Sequence, residues 1–199
     1  MSLQIDVGND SGDIKEMIIE AASSLYEKKG FHETSVGEIA DTAGISVPVT
    51  YSYVQRKADI MLLIMDDFSK RFEEEVLPEI TPLENPKEKL VRAMELFFNL
   101  VDHNMVKVIL LYRESRALDK SGRKKIMAAE MGHVRIFEDI LKMGIEQGIF
   151  KPHDTDLIAH NILMAGHTWA LKHWHYKKRF GLGEYLRLQS EFFIDSVSV

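Results

Sequence analysis

Residues 34–60 read TSVGEIADTAGISVPVTYSYVQRKADI, and this stretch decides the fold. Ser35 and Glu38 form a Ser-x-x-Glu capping box, in which two helix-start N–H groups are satisfied reciprocally, so a helix starts at Val36. Gly44 suits the left-handed position that ends this helix after Ala43. Ser46 can cap the next helix, and Pro48 falls in its first turn, where a missing N–H costs little. The reading is two short helices, residues 36–43 and 47–54, joined by a tight turn.

Working outward, apolar spacing stays helical almost throughout, with no alternating strand pattern. Met17, Ile18, Ala21, Ala22 and Leu25 form one stripe before the pair. A longer helix opens at Lys57 and keeps register through Ile60, Leu63, Ile64, Phe68 and Phe72 until Pro78. Residues 78–86 hold three of the five prolines and read as a loop. Helices are expected at 87–102, 105–118 and 123–147, with a stop at Gly148 and a loop at 150–154. The last two are expected at 155–178 and 182–197. The fold class is all-α: an N-terminal three-helix head with a helix-turn-helix, residues 1–57, and a helical body, residues 58–199.

Composition narrows the function. The chain has 199 residues, 45% hydrophobic and 28% charged, as a globular protein has. It has no cysteine, which removes disulfides, zinc-thiolate sites and cysteine nucleophiles. The first thirteen residues are polar and acidic and do not read as a signal peptide. No apolar run approaches the ~20 residues that span a bilayer. A cytoplasmic protein with no membrane partner is the expectation. The net charge is −6. The first 60 residues carry five Lys and Arg against ten Asp and Glu, a net −5. A basic footprint is the usual mark of a nucleic-acid binder, so DNA binding has to come from local geometry.

That geometry is present. One short helix can cross the DNA backbone while the next lies in the major groove. The stretch resembles the DNA-binding head of the TetR (tetracycline repressor) family. Thr34, Ser35, Ile39, Ala40, Ala43, Gly44, Ile45, Ser46, Tyr51, Tyr53, Lys57 and Ile60 match its pattern, as does the run from Leu25 to Phe31. Thr50 and Val54 depart from it, standing where the family usually has Leu or Ile and Phe; both remove buried apolar area. The resemblance covers residues 14–60. It implies a DNA-binding set of Thr34, Ser35, Gly37, Ser46, Val47, Pro48, Tyr51, Tyr53 and Lys57. In this set Ser35, Tyr53 and Lys57 hold phosphates, while Ser46, Val47, Pro48 and Tyr51 face the groove. Between Ser46 and Val54 there is no Arg, Lys, Asn or Gln, so bidentate readout of guanine or adenine from this helix is impossible. Thymine methyls, hydroxyl contacts and DNA shape must carry specificity.

The body has two features. The segment 155–178 is apolar nearly all round, with Leu157, Ile158, Ile162, Leu163, Trp169 and Trp174, and a second buried face suggests another subunit. With Leu188 and Phe192 on the last helix, the expected homodimer interface comprises Ile158, Trp169, Trp174, Leu188 and Phe192. The middle helices are rich in Met and Phe, which adapt to ligands. The resemblance implies an apolar effector pocket there, assigned to Met94, Phe98, Met131, Phe137 and Met164 with Arg113 and Arg116 at its mouth. LYRES at 111–115 and the stretch 169–185 are loosely similar to family members that sense fatty acyl-coenzyme A.

Catalytic residues and cofactors are expected to be none. No Gly-rich phosphate loop or nucleophile elbow occurs, and the eight histidines show no ligand spacing, so no metal is expected either. The reading is a ligand-responsive regulator of double-stranded operator DNA, a repressor released by a small apolar or amphipathic effector such as a fatty acyl-coenzyme A. The alternatives are a helical ligand-binding or interaction protein, or a bundle enzyme, whose head does not bind DNA.

Overall fold

The computed structural model describes residues 11–199, and the acidic N-terminal reading lies almost wholly outside them. Among the described residues the architecture is helical, with one isolated bridge pairing Phe150 and Ser198. The helices are α1 Ser11–Lys29, α2 Val36–Ala43, α3 Val47–Tyr53, α4 Ile60–Arg71, α5 Leu77–Ile80, α6 Pro86–His103, α7 Met105–Glu114, α8 Lys120–Glu146, α9 Thr155–Leu171, α10 His173–Tyr176 and α11 Leu182–Val197. None of them is long and apolar enough to cross a membrane.

The local signals around α2 and α3 operate as read. The Ser35 hydroxyl accepts from Glu38 N at 3.2 Å while Ser35 N donates to the Glu38 carboxylate at 2.9 Å. Gly44 closes α2 at φ +69°, a conformation that a Cβ would strain. Ser46 caps α3, accepting from Val49 N at 3.4 Å. Helix α3 ends one residue early, because Val54 turns extended to bury its side chain.

The long helix is less regular than its spacing predicts. It begins with a 3-10 turn, Lys57–Asp59, and widens into a π turn, Phe72–Val76, before restarting as α5. The widened turn falls just before Pro78, which has no N–H to continue the ladder and would clash inside a regular helix. The chain therefore stays helical to Ile80, past the expected stop. Pro86 does not belong to the loop either: Asn85 caps α6 and Pro86 takes its first turn. Helix α8 starts earlier than expected, at Lys120, on an Asp119 cap that accepts from Gly122 N at 2.7 Å. The segment expected as one helix over 155–178 breaks at Lys172.

Two apolar clusters result. The head cluster gathers Ile18, Ala22, Tyr26, Phe31, Ile39, Ala43 and Val54. The body cluster centres on Phe97, Phe98, Phe137, Leu141, Ile162 and Leu163. Helix α4 belongs to both: Ile60, Met61 and Ile64 seal the head, and Phe68 joins the body, as does Phe72 just beyond it. From the body side Leu110 and Leu118 reach into the head cluster. A division after residue 57 thus falls just before the helix that both clusters share. Lys107 on α7 adds a polar tie. It is buried, and its ammonium donates to Glu20 on α1 at 2.8 Å and to Asp67 on α4 at 3.4 Å.

Candidate DNA interface and effector cavity

Helix α3 presents one face outward and one inward. Thr50 and Val54 are buried, and the Thr50 hydroxyl is turned back to the Ser46 carbonyl at 3.4 Å. The loss of apolar area at Thr50 is thus met by an internal hydrogen bond. Ser46, Val47, Pro48 and Tyr51 are exposed together, and Tyr51 is 50% accessible. They form a continuous surface with exposed Ser52 and Gln55, two residues the sequence reading did not select. Ser35 is exposed at the start of α2, with half-buried Gly37 beside it.

Three expected DNA residues have other employment. Thr34 is 2% exposed and its hydroxyl donates to Gly30 O at 2.9 Å, so it braces the turn after α1. Tyr53 packs half-buried against the head cluster. Lys57 turns inward: its ammonium donates to the carbonyls of Phe31, His32 and Thr34 at 2.7, 3.2 and 2.8 Å, and lies 4.5 Å from the Phe31 ring centre. All three of its donors are spent on carbonyls, which leaves none for a phosphate. Its position is that of a strut pinning the α1–α2 turn to the linking helix. Two other head cations are also paired. Lys29 bonds Glu38, whose carboxyl is held at about 2 by that bond and by Ser35. Arg56 bonds Asp59 at 2.9 Å and Asp119 at 3.2 Å.

A cavity of about 230 Å³ opens between α4, α7, α8 and α9. Its apolar wall is Met65, Phe68, Val108, Leu111, Ile126 and Met127; its polar groups are Tyr112, Ser115, Arg123, Glu130, His133 and His167. The Tyr112 hydroxyl meets His167 Nδ1 at 2.9 Å and Met164 Sδ at 3.3 Å. Burial pushes both His133 and His167 down to about 4, so both rings are neutral near pH 7. Burial also raises the Glu130 carboxyl.

The residues expected to line an effector pocket do not converge here. Met94, Phe98 and Phe137 are fully buried in the body cluster, and Met131 packs partly buried on it. Arg113 and Arg116 are exposed, with Arg113 on a separate groove beside Tyr26 and Phe31. Met164 touches the site only through Tyr112. The cause is helix register. On α8 the cavity takes residues 123, 126, 127, 130 and 133, one step round from Met131 and Phe137. Signals for the cavity existed in Glu130 and His133, an i,i+3 pair, and in Tyr112 of the LYRES run.

The expected dimer set also divides. Trp169 is a core residue, 3% exposed, its indole N–H donating to Asp102 at 2.6 Å. Ile158 is partly buried on the body cluster. Trp174, Leu188 and Phe192 are exposed, as are Leu157 and Met164 on α9.

Residues 18–64 match the family model for bacterial regulatory proteins of the tetR family, and residues 83–177 match the tetracyclin repressor-like C-terminal domain. The chain is 30% identical over 172 residues to the HTH-type transcriptional regulator HbdR of Aromatoleum sp. (strain CIB), covering 86% of this chain and 75% of that protein.

The chain belongs to the TetR family of transcriptional regulators.

It is also 33% identical over 140 residues to the fatty acid metabolism regulator protein of Bacillus subtilis (strain 168), covering 67% of this chain and 69% of that protein. Among solved structures, AibR in complex with isovaleryl coenzyme A and operator DNA aligns with a TM-score of 0.74 at 25% identity, covering 90% of this chain and 97% of that one. As a TetR-family member the chain is a transcriptional regulator rather than an enzyme. The head cluster takes Ile60, Met61 and Ile64 from α4, and the cavity wall takes Met65 and Phe68 from the same helix.

Proposed function

We propose that this TetR-family chain is a homodimeric repressor, with head 1–57 and body 58–199, that leaves its operator when a small amphipathic effector enters the α4–α7–α8–α9 cavity. One observation carries the reading: Met65 and Phe68, on the helix that bears the head, form part of the cavity wall. A ligand there touches the linking helix directly. It changes DNA affinity to the extent that it prefers one setting of that helix. A tenfold loss of affinity needs about 1.4 kcal/mol of such preference, within the usual range of allosteric coupling.

The DNA surface is Ser35, Gly37, Ser46, Val47, Pro48 and Tyr51, joined by Ser52 and Gln55. Thr34, Tyr53 and Lys57 support it from behind. The dimer face is the exposed apolar set Leu157, Met164, Trp174, Leu188 and Phe192. The effector class is an acyl-coenzyme A, supported by the apolar cavity wall and by what the names of related regulators state about fatty acids and isovaleryl coenzyme A. At about 230 Å³ the cavity lies below the ~300–1,000 Å³ usual for small-molecule pockets, which favours a short acyl group over a long chain. Binding of the DNA upstream of the protein's own gene, titrated with acyl-coenzyme A thioesters of increasing length, tests this. Release by short-chain thioesters and not by free coenzyme A is the expected result.

A further inference from the structure

His133 is 5% exposed, and its Nε2 has no hydrogen-bond partner among the described residues. The ring is held between Phe72, stacked at 4.7 Å, and Phe68, edge-on at 5.7 Å, so it cannot swing away to find one. One helical turn earlier, half-buried Glu130 lines the same cavity beside the Tyr112 hydroxyl. The Glu130 carboxyl has the Tyr112 hydroxyl beside it, whereas the buried His133 Nε2 is unmatched, and leaving such a group unsatisfied costs about 1–3 kcal/mol. A ligand with an unsubstituted hydrocarbon chain would keep that cost. A ligand bringing an uncharged oxygen would remove it. An anionic group would meet Glu130, with only Arg123 at the exposed rim to offset it.

We infer that Glu130 and His133 form a polar recognition pair for a hydroxyl or ketone oxygen on the apolar part of the effector. The ligand class is then an oxygen-substituted acyl group rather than an unsubstituted one. The inference rests on the reading of this cavity as the effector site. The pair sets specificity because a site built around hydrogen bonds rejects the analogue that lacks the partner far more strongly than an apolar pocket rejects one that adds it.

The test is calorimetric titration of the full chain with two matched pairs of probes. The first is 3-hydroxybutyryl- and butyryl-coenzyme A; the second, free of coenzyme A, is cyclohexanol and methylcyclohexane. The expected result is at least tenfold tighter binding of the oxygenated member. The ratio should fall to within threefold in Glu130→Met and in His133→Phe, while the apolar member still binds. Glu130→Met, at a half-buried position, serves alone if His133→Phe does not fold. Preference in the second pair with silent thioesters supports the inference and removes coenzyme A from the functional reading. Equal binding within each pair overturns the inference and leaves an apolar effector cavity standing. No binding by any probe overturns both.

Discussion

The Phe72 ring lies 4.7 Å from the His133 ring at an interplanar angle of 24°. Phe72 is the first residue of the π turn, and His133 is a wall of the cavity. The cavity wall and the irregular turn of the linking helix therefore pack as one unit. Single π turns recur at functional sites because the extra residue can be relaxed or moved at modest cost. On the proposed reading, an effector pressing on the His133 ring bears directly on Phe72 and so on the turn that follows α4.

The same burial makes the body acid-sensitive. In the unfolded chain both His133 and His167 titrate near 6.5, whereas in the folded chain they stay neutral down to about 4. Between those values the unfolded chain holds more protons, so stability falls as pH drops through the window and is fully present above it. Each histidine contributes a slope of up to about 1.4 kcal/mol per pH unit. Denaturant unfolding of wild type and His167→Phe at pH 4.5, 5.5 and 7 should show a shallower dependence in the variant. Equal slopes would remove His167 from this account.

Lys57 is expected to act on stability before DNA. Lys57→Met leaves three carbonyls without their charged donor and should cost about 1–3 kcal/mol, with faster amide exchange in the turn after α1. DNA affinity should fall by a similar factor at every salt concentration. A salt slope reduced by about one unit, with stability unchanged, would instead identify a phosphate ligand.

Two glycines on α8 should respond with opposite sign. A Cβ at Gly144 would lie 2.0 Å from Phe150 Cδ2, whose ring is buried, so Gly144→Ala forces a core ring aside. Overpacking of this kind costs about 1–3 kcal/mol or more, outweighing the ~1 kcal/mol that alanine gains in helix propensity. A Cβ at Gly132 meets nothing within 4 Å, so Gly132→Ala should raise stability by up to about 1 kcal/mol. Thermal melts of the two variants read both effects.

Legibility followed the range of the interactions involved. The capping box at Ser35 and Glu38, the left-handed Gly44 and the Ser46 cap are contacts within a few residues, and they placed α2 and α3. The widened turn at Phe72 was invisible because apolar spacing continues through it. Trp169 read as an interface residue because its partner, Asp102, is 67 positions away and nothing local announces the bond. Lys57 read as a phosphate ligand for the same reason, since its acceptors lie 23 to 26 residues back. Met94, Phe98 and Phe137 are apolar and inward-facing as expected, but apolar residues report depth and not the edge of a cavity. The cavity was better marked by the polar residues on an apolar face, Glu130, His133 and His167.

Assembly is tested by Phe192→Glu. Phe192 is 66% exposed in the single chain, so the substitution should leave the fold and melting of the monomer intact. Placed in an apolar dimer face it would bury an unpaired charge at a cost of several kcal/mol. Sedimentation should show a dimer for wild type and a monomer for the variant. DNA binding should be lost with it, since a two-fold dimer reads half-sites about one helical turn, ~34–36 Å, apart.

The coupling of the cavity to DNA is the central claim, and fluorescence anisotropy measures it directly. A labelled fragment from upstream of the protein's own gene is bound by the chain and titrated with short-chain acyl-coenzyme A. The expected result is release of the DNA, with effector affinity reduced in the presence of the fragment by the same factor, as linkage requires. A thioester that binds in the cavity and leaves DNA affinity unchanged would contradict it.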